Sequence, residues 1–263
     1  MPIHCPQIRD LTQPEFDAVD KVVMRHAYAC QNALGRLCNE GVYEHDLALR
    51  LCEEGHDVHT QVPITVSHRS FEKMYRLDLV CDHAVYDAKT VQAFVGEHDA
   101  QVLHYAMLLD IRHVKLLNFR TDRVQGRLRF NALTTDKRHR FRVDTREWRP
   151  LSDQCEPLRQ YMENLLTDWG VFLDSRLYED ALVHSCGGEA QCVRRIDLAR
   201  SGNLIGTHRV QQHSGGLFFT VSSVTSGVAA YQSHLQRLLQ LTGLRGLQWI
   251  NLCHHDIQFV TLT

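Results

Sequence analysis

Asp78, Asp87 and Lys89 are the residues of this chain best placed to do chemistry. Tyr75-Arg-Leu-Asp-Leu-Val80 and Ala84-Val-Tyr-Asp-Ala-Lys89 each alternate apolar and polar residues and are separated by a short polar turn, the pattern of a β-hairpin. A hairpin can bring Asp78 close to Asp87, and Lys89, two residues from Asp87, projects from the same face of its strand. Two carboxylates beside an ammonium group suit a hard divalent cation, with a positive charge at hand for water or phosphate. That is chemistry for hydrolysing a phosphodiester. Taken alone, Asp87 and Lys89 read more readily as an ordinary exposed ion pair.

The elements that must hold these residues follow from hydrophobic periodicity. The first half reads as helices at about 14–34 and 41–54, strands at about 57–67, 73–82 and 84–90, a helix at about 97–109, and strands at about 113–119 and 126–133. The second half reads as helices at about 155–169 and 176–184, strands at about 191–199, 203–212 and 216–223, a helix at about 226–241, and strands at about 246–252 and 256–262. Alternating strands and helices of this kind give an α/β fold.

The order of several motifs in the first half resembles the PD-(D/E)XK nuclease superfamily, and within it the small proteins named for a GxxExxY motif. Ala33-Leu-Gly-Arg-Leu-Cys-Asn-Glu40-Gly-Val-Tyr43 is similar to the helix that carries the GxxExxY signature. Gly55-His-Asp-Val58, Gln61-Val-Pro63, the Asp78 strand, Asp87-Ala-Lys89, His98-Asp-Ala-Gln101 and Leu116-Leu-Asn-Phe119 follow in the family's order. Leu37 stands where the signature has its second glycine, and Asp87 stands where these small proteins carry glutamate. Gln101-x-x-x-Tyr105 resembles the motif of the recombination-type exonucleases of the same superfamily.

The resemblance implies a restriction-endonuclease-like domain with a central mixed sheet flanked by helices. It implies Mg²⁺ or Mn²⁺ held by Asp78, Asp87, the carbonyl of Ala88 and Glu40, with Lys89, Gln101 and Tyr105 completing the catalytic group. Read without it, Glu40 favours a helix N-terminus through the macrodipole, Tyr43 is core packing, and Gln101 and Tyr105 are a polar surface residue and a half-buried aromatic.

The second half echoes the first. Asp110-Ile-Arg-His-Val-Lys-Leu-Leu-Asn118-Phe119 returns as Gly243-Leu-Arg-Gly-Leu-Gln-Trp-Ile-Asn251-Leu252, 133 residues on. Leu34-Gly35 and Tyr43-Glu44 return as Trp169-Gly170 and Tyr178-Glu179, 135 residues on. So long a period means a duplicated domain rather than a solenoid. At these offsets Asp78 corresponds to Gln211, Asp87 to Thr220, Lys89 to Ser222, Glu40 to Ser175, Gln101 to His234 and Tyr105 to Leu238. The expected organisation is a nuclease-like domain over 1–135, a basic linker over 136–150 and a degenerate repeat over 151–263, the two copies pairing as an intramolecular pseudo-dimer, with a homodimer of the whole chain also open.

Composition sets outer bounds. The chain has 263 residues, 44% hydrophobic and 23% charged, with a formal net charge of −2, so it is no globally basic nucleic-acid protein. One cation cluster stands out, Lys137, Arg138, Arg140 and Arg142, which reads either as a nucleic-acid contact or as a solvated linker. Residues 1–135 hold 15 Lys and Arg against 18 Asp and Glu, and residues 136–263 hold 14 against 13, so the second half is slightly the more basic. Nine cysteines without regular spacing, Cys186 and Cys192 the closest pair, suggest reduced thiols rather than a zinc framework. The apolar runs fall short of the roughly 20 residues needed to span a bilayer, and the first residues lack a signal-peptide pattern, so no membrane partner and a cytoplasmic location are expected.

The functional expectation is a metal-dependent deoxyribonuclease whose single site lies in the first copy, with the second copy supporting fold or DNA binding. RNA stays open as a substrate. The competing expectation is a non-catalytic nucleic-acid-binding or assembly module that keeps the nuclease fold.

Overall fold

The computed structural model describes residues 3–4, 7–213 and 216–263. The chain divides into two compact units, residues 1–67 with 72–135, and residues 136–263 with 68–71.

The first unit contains β1 (Ile3–His4), α1 (Gln13–Leu34), α2 (Glu40–Glu53), β2 (Val58–His68), β3 (Phe71–Cys81), β4 (Ala84–Lys89), α3 (Gly96–Leu109), β5 (His113–Asn118) and β6 (Gln125–Phe130). α1 starts where the Thr12 N–H donates to Glu15, and it buries Phe16, Val23, Ala27 and Cys30 along one stripe. It stops at Gly35, whose φ of 75° suits glycine. α2 buries Tyr43, Leu47 and Leu51, spaced for one helical face. The Tyr43 hydroxyl donates to the Gly35 carbonyl at 2.7 Å and fixes the corner between the two helices. Both helices pack on a sheet face made by Leu79, Tyr86, Ala88 and Leu117.

The strands lie in the order β1-β2-β3-β4-β5-β6. β3 and β4 are antiparallel, β4 and β5 are parallel across the α3 crossover, and β5 and β6 are antiparallel. The Asn118 side chain, at the end of β5, bonds both backbone groups of Val91, so the chain leaving β4 is tied down just past Lys89.

The second unit contains α4 (Thr135–Arg138, which straddles the division), β7 (Arg142–Glu147), α5 (Cys155–Trp169), α6 (Ser175–Ser185), α7 (Glu189–Cys192), β8 (Val193–Arg200), β9 (Asn203–His213), β10 (Leu217–Ser222), α8 (Val228–Thr242), β11 (Leu247–Cys253) and β12 (Asp256–Leu262). Its sheet runs β7-β12-β11-β10-β9-β8. From β9 to β12 the directions repeat those from β3 to β6, with β10 and β11 parallel across the α8 crossover, and β8 pairs antiparallel with β9. The Tyr178 hydroxyl donates to the Gly170 carbonyl at 2.6 Å, and Gly170 also has φ 75°. Asn251 bonds both backbone groups of Val224 as Asn118 does Val91.

Residues 136–150, expected as a linker, carry α4 and β7 instead, and β7 pairs in parallel with β12 as an edge strand. Both units are thus α/β, each built on a mixed sheet with helices against it. Among the described residues, no helix is long and apolar enough to cross a membrane.

Candidate active site

β4 is the strand that assembles the candidate site. It lies between β3 and β5, and its register sets Asp87 opposite Leu116 and Lys89 opposite Asn118. On its other side Leu79 is opposite Tyr86. One residue further along β3, the Asp78 carboxylate accepts the Ala88 N–H at 2.9 Å. Asp87 and Lys89 share a face, and Lys89 Nζ lies 2.5 Å from Asp87 Oδ2. Their side chains are 3% and 11% exposed, so the surface ion pair that the sequence also allowed is not what forms. Burying such a pair costs desolvation that only good compensation offsets.

The compensation here is incomplete. Neither oxygen of Asp87 receives an aligned hydrogen bond, the lysine being close but poorly directed. Burial, followed by the charge of Asp78, pushes Asp87 up to about 7 against the opposing pull of Lys89. Burial also raises Asp78, despite Lys89 and the Ala88 N–H. At the start of α2, burial raises Glu40, with Lys89 drawing it down and Asp78 adding to the rise. Burial pulls Lys89 down, but Asp87, Glu40 and Asp78 together outweigh it, so its ammonium is held above the usual value.

Sequence reasoning missed Glu44. It lies one turn after Glu40, is buried, and accepts a hydrogen bond from Gln61 at 2.8 Å. Oxygens of Glu40, Glu44 and Asp78 all come within 4.8 Å of one another. Burial and then Asp78 raise its carboxyl. The signal that could have found it is the four-residue spacing from Glu40, which places both acids on one helix face.

These observations fit a divalent cation. The donors of the Glu40, Glu44 and Asp78 group are oxygens, as a hard cation requires, and the buried Asp87 oxygens lack hydrogen-bond partners, a deficit that a cation would fill. The profile of the PD-(D/E)XK nuclease superfamily matches residues 17–130, a span that contains every residue of this group. Residues 17–130 form a PD-(D/E)XK nuclease superfamily domain. Searches of the curated proteins and of the solved structures find no match.

Other expected residues of the nuclease domain are distributed around this centre. On α3, Gln101 donates to the Tyr105 hydroxyl at 3.0 Å. Burial raises Tyr105, and the charges of Asp87 and Asp78 add to the shift, which places the phenol within their field. Ala88 gives its N–H to Asp78 and packs its methyl group in the core. Tyr43 is fully buried and serves the helix corner.

The expected nucleic-acid cluster does not act as one surface. Arg138 is fully buried and donates to the Trp169 carbonyl at 2.7 Å, so it is a core residue of the second unit and not a phosphate contact. Arg142 pairs with Asp256 at 2.7 Å. Lys137 and Arg140 are exposed. The spacing of four cations in six residues concealed that a short helix turns one of them inward.

In the second unit, the positions expected to echo the nuclease group hold neutral side chains. Ser222 lies opposite Asn251 and Thr220 opposite Trp249. The Trp249 indole donates to the Ser222 hydroxyl at 2.8 Å, and that hydroxyl donates to Asn251 at 2.9 Å. One expected correspondence is shifted. Gln211 lies opposite Phe219, as Leu79 lies opposite Tyr86, so Val210 and not Gln211 takes the place of Asp78. In sequence, three residues separate the paired His213 and Leu217, against two between Cys81 and Ala84. Gln211 instead hydrogen-bonds Glu179. His234 is exposed on α8. Cys186 and Cys192 are free thiols.

Proposed function

We propose that this protein is a metal-dependent deoxyribonuclease with one active site, in the first unit, and that the second unit is a degenerate copy of the same domain. The observation that carries the reading is the buried Asp87–Lys89 pair beside Asp78, with the Asp87 oxygens short of hydrogen bonds, inside the span matched by the nuclease profile.

Asp78 and Asp87, with Glu40 and the Ala88 carbonyl, would hold Mg²⁺ or Mn²⁺, which supplies a Lewis acid and lowers the pKa of an attacking water. The residues of the chain do the rest. Lys89, kept charged by the surrounding carboxylates, meets the negative charge that grows on the phosphate as the water attacks. Asp87 must give up its proton to serve as a ligand, and Lys89 lowers the cost of that step. Gln101 donates to the Tyr105 oxygen and leaves the tyrosine proton for a second acceptor, such as a phosphate oxygen. The Asn118 clamp on Val91 holds the chain beyond Lys89 and so limits where the ammonium can move.

Support for the duplication comes from the repeated strand directions and from two repeated clamps, Tyr43 to Gly35 with Tyr178 to Gly170, and Asn118 to Val91 with Asn251 to Val224. Val210, Thr220 and Ser222 offer no carboxylate or ammonium, so the second unit would keep the frame without the reaction.

The decisive experiment is cleavage of supercoiled plasmid and of single-stranded DNA and RNA with Mg²⁺, with Mn²⁺ and with EDTA. Cation-dependent cleavage that Asp87→Asn abolishes is expected. A second reading, a nucleic-acid-binding module without activity, draws on the close approach of Lys89 to Asp87, which offsets the carboxylate charge without an ion. DNA binding without cleavage under every cation tested would favour that reading.

A further inference from the structure

A second donor cluster lies outside the carboxylate group and has different chemistry. His56 follows the end of α2, and Cys81 and Asp82 close β3 at its turn into β4. One donor atom from each, a ring nitrogen, a thiol sulfur and a carboxylate oxygen, comes within 4.8 Å of the other two. His56 Nδ1 already lies 2.6 Å from Asp82 Oδ2. The other Asp82 oxygen accepts the Asp57 N–H at 3.0 Å, and the Asp82 N–H returns a bond to the Asp57 carbonyl at 2.9 Å. The His56 segment and the turn are therefore locked to each other before any ion arrives.

The donor types decide which ion would suit. Nitrogen, sulfur and oxygen together are a poor match for Mg²⁺, which takes oxygens, and a good one for Zn²⁺. Three protein ligands leave a tetrahedral ion one open place. The Cys81 sulfur is fully buried, which protects a metal thiolate from oxidants.

We propose that His56, Cys81 and Asp82 form a zinc site that fastens the end of α2 to the β3–β4 turn. Binding replaces the thiol proton of Cys81 and the ring-to-carboxylate hydrogen bond of His56 with bonds to the ion, and the thiol proton leaves to solvent. The site is structural. It strengthens the hairpin whose other end carries Asp78 and Asp87, without sharing a ligand with them. The inference does not depend on the nuclease reading.

The test uses the full chain, reduced and stripped of metal, titrated with Co²⁺ as a spectroscopic stand-in for Zn²⁺. A thiolate-to-cobalt charge-transfer band with one equivalent of Co²⁺ is expected, and Zn²⁺ should displace it. Asp87→Asn should leave the band intact, because carboxylates give no such absorption. Cys81→Ser should abolish it, and His56→Gln and Asp82→Asn, which spare the buried core, should each weaken Co²⁺ binding about tenfold or more. Zn²⁺ should raise the melting temperature of the wild type and leave those of the His56→Gln and Asp82→Asn proteins nearly unchanged. Absence of the band, or a band of equal affinity in the wild type and His56→Gln, overturns the proposal.

Discussion

Lys89 and Asp87 lie side by side on β4 with 2.5 Å between ammonium and carboxylate, both largely removed from water. A buried pair of this kind contributes little net stability compared with an apolar pair of similar size. Its retention at the centre of a cluster of acids makes sense if the charge is used in a reaction. Lys89→Ala should therefore lower the cleavage rate by about 100-fold or more, the scale for losing a preorganised group that meets transition-state charge. Calorimetry with Mn²⁺ should show binding largely retained. Unchanged turnover in a folded Lys89→Ala protein would reduce the lysine to a structural counter-ion.

Acidic groups raised in the fold make metal-free stability depend on pH in a defined direction. Asp87 sits at about 7 in the folded protein, against ~3.9 for an unfolded aspartate. Between those values the folded state binds more protons than the unfolded state, so this residue's contribution falls as pH rises. It is fully favourable below the unfolded value and lost through about pH 7. In EDTA, the gain in stability of wild type over Asp87→Asn on going from about pH 8 to about pH 6 should be on the order of 1 kcal/mol. Urea midpoints of the two proteins that shift in parallel across that range would refute the assignment.

The proposed single reactive centre per chain predicts single-strand scission. Supercoiled plasmid should pass to open circles well before linear product accumulates, provided that the sample is shown to be monomeric under assay conditions. Ser222→Ala should cut at the wild-type rate. It should nevertheless lose about 1–2 kcal/mol of stability, since the Trp249 indole and Asn251 both bond the deleted hydroxyl. Concerted linearisation by a monomer, or a strong rate loss in Ser222→Ala, would contradict the single-site reading.

Arg138 should report on folding and not on DNA. Its guanidinium is buried and donates to the Trp169 carbonyl at the end of α5. Arg138→Ala is expected to cost roughly 2–3 kcal/mol, as for loss of a hydrogen bond from a charged donor plus packing. The salt dependence of DNA affinity should be unaltered, whereas Lys137→Ala or Arg140→Ala, at exposed positions, should leave the melting temperature within about 1 °C of wild type. A steeply altered salt slope in a folded Arg138→Ala protein would restore it as a phosphate contact.

Much of this molecule is readable from sequence because hydrophobic spacing fixes the long elements. α5 and β12 run over the residues that their apolar pattern marks, and the other main helices and strands shift by only a few positions. The Asp78–Asp87–Lys89 grouping is legible as a hairpin with strand alternation, but only the order of the surrounding motifs separates it from a surface ion pair. What escapes is decided by packing. β7 carries Arg142, Asp144, Arg146 and Glu147, a charged run with no alternating apolar face, and is held as an edge strand by β12. Arg138 looks like its basic neighbours until a helical turn directs it into the core. The expected Gln211 correspondence slips because one additional residue between the paired positions shifts the register, and a shift of one changes which face a strand residue occupies.

The hydrogen bond from the Ala88 amide to Asp78 gives the site a reporter of its own. That amide sits between the two residues, Asp87 and Lys89, on which the chemistry is proposed to depend, and its acceptor is a carboxylate that an ion would draw upon. A change in electron density on Asp78 is thus transmitted to a single backbone proton. In nuclear magnetic resonance terms, the Ala88 resonance and its solvent-exchange rate would register occupancy of the site without substrate, turnover or any added label.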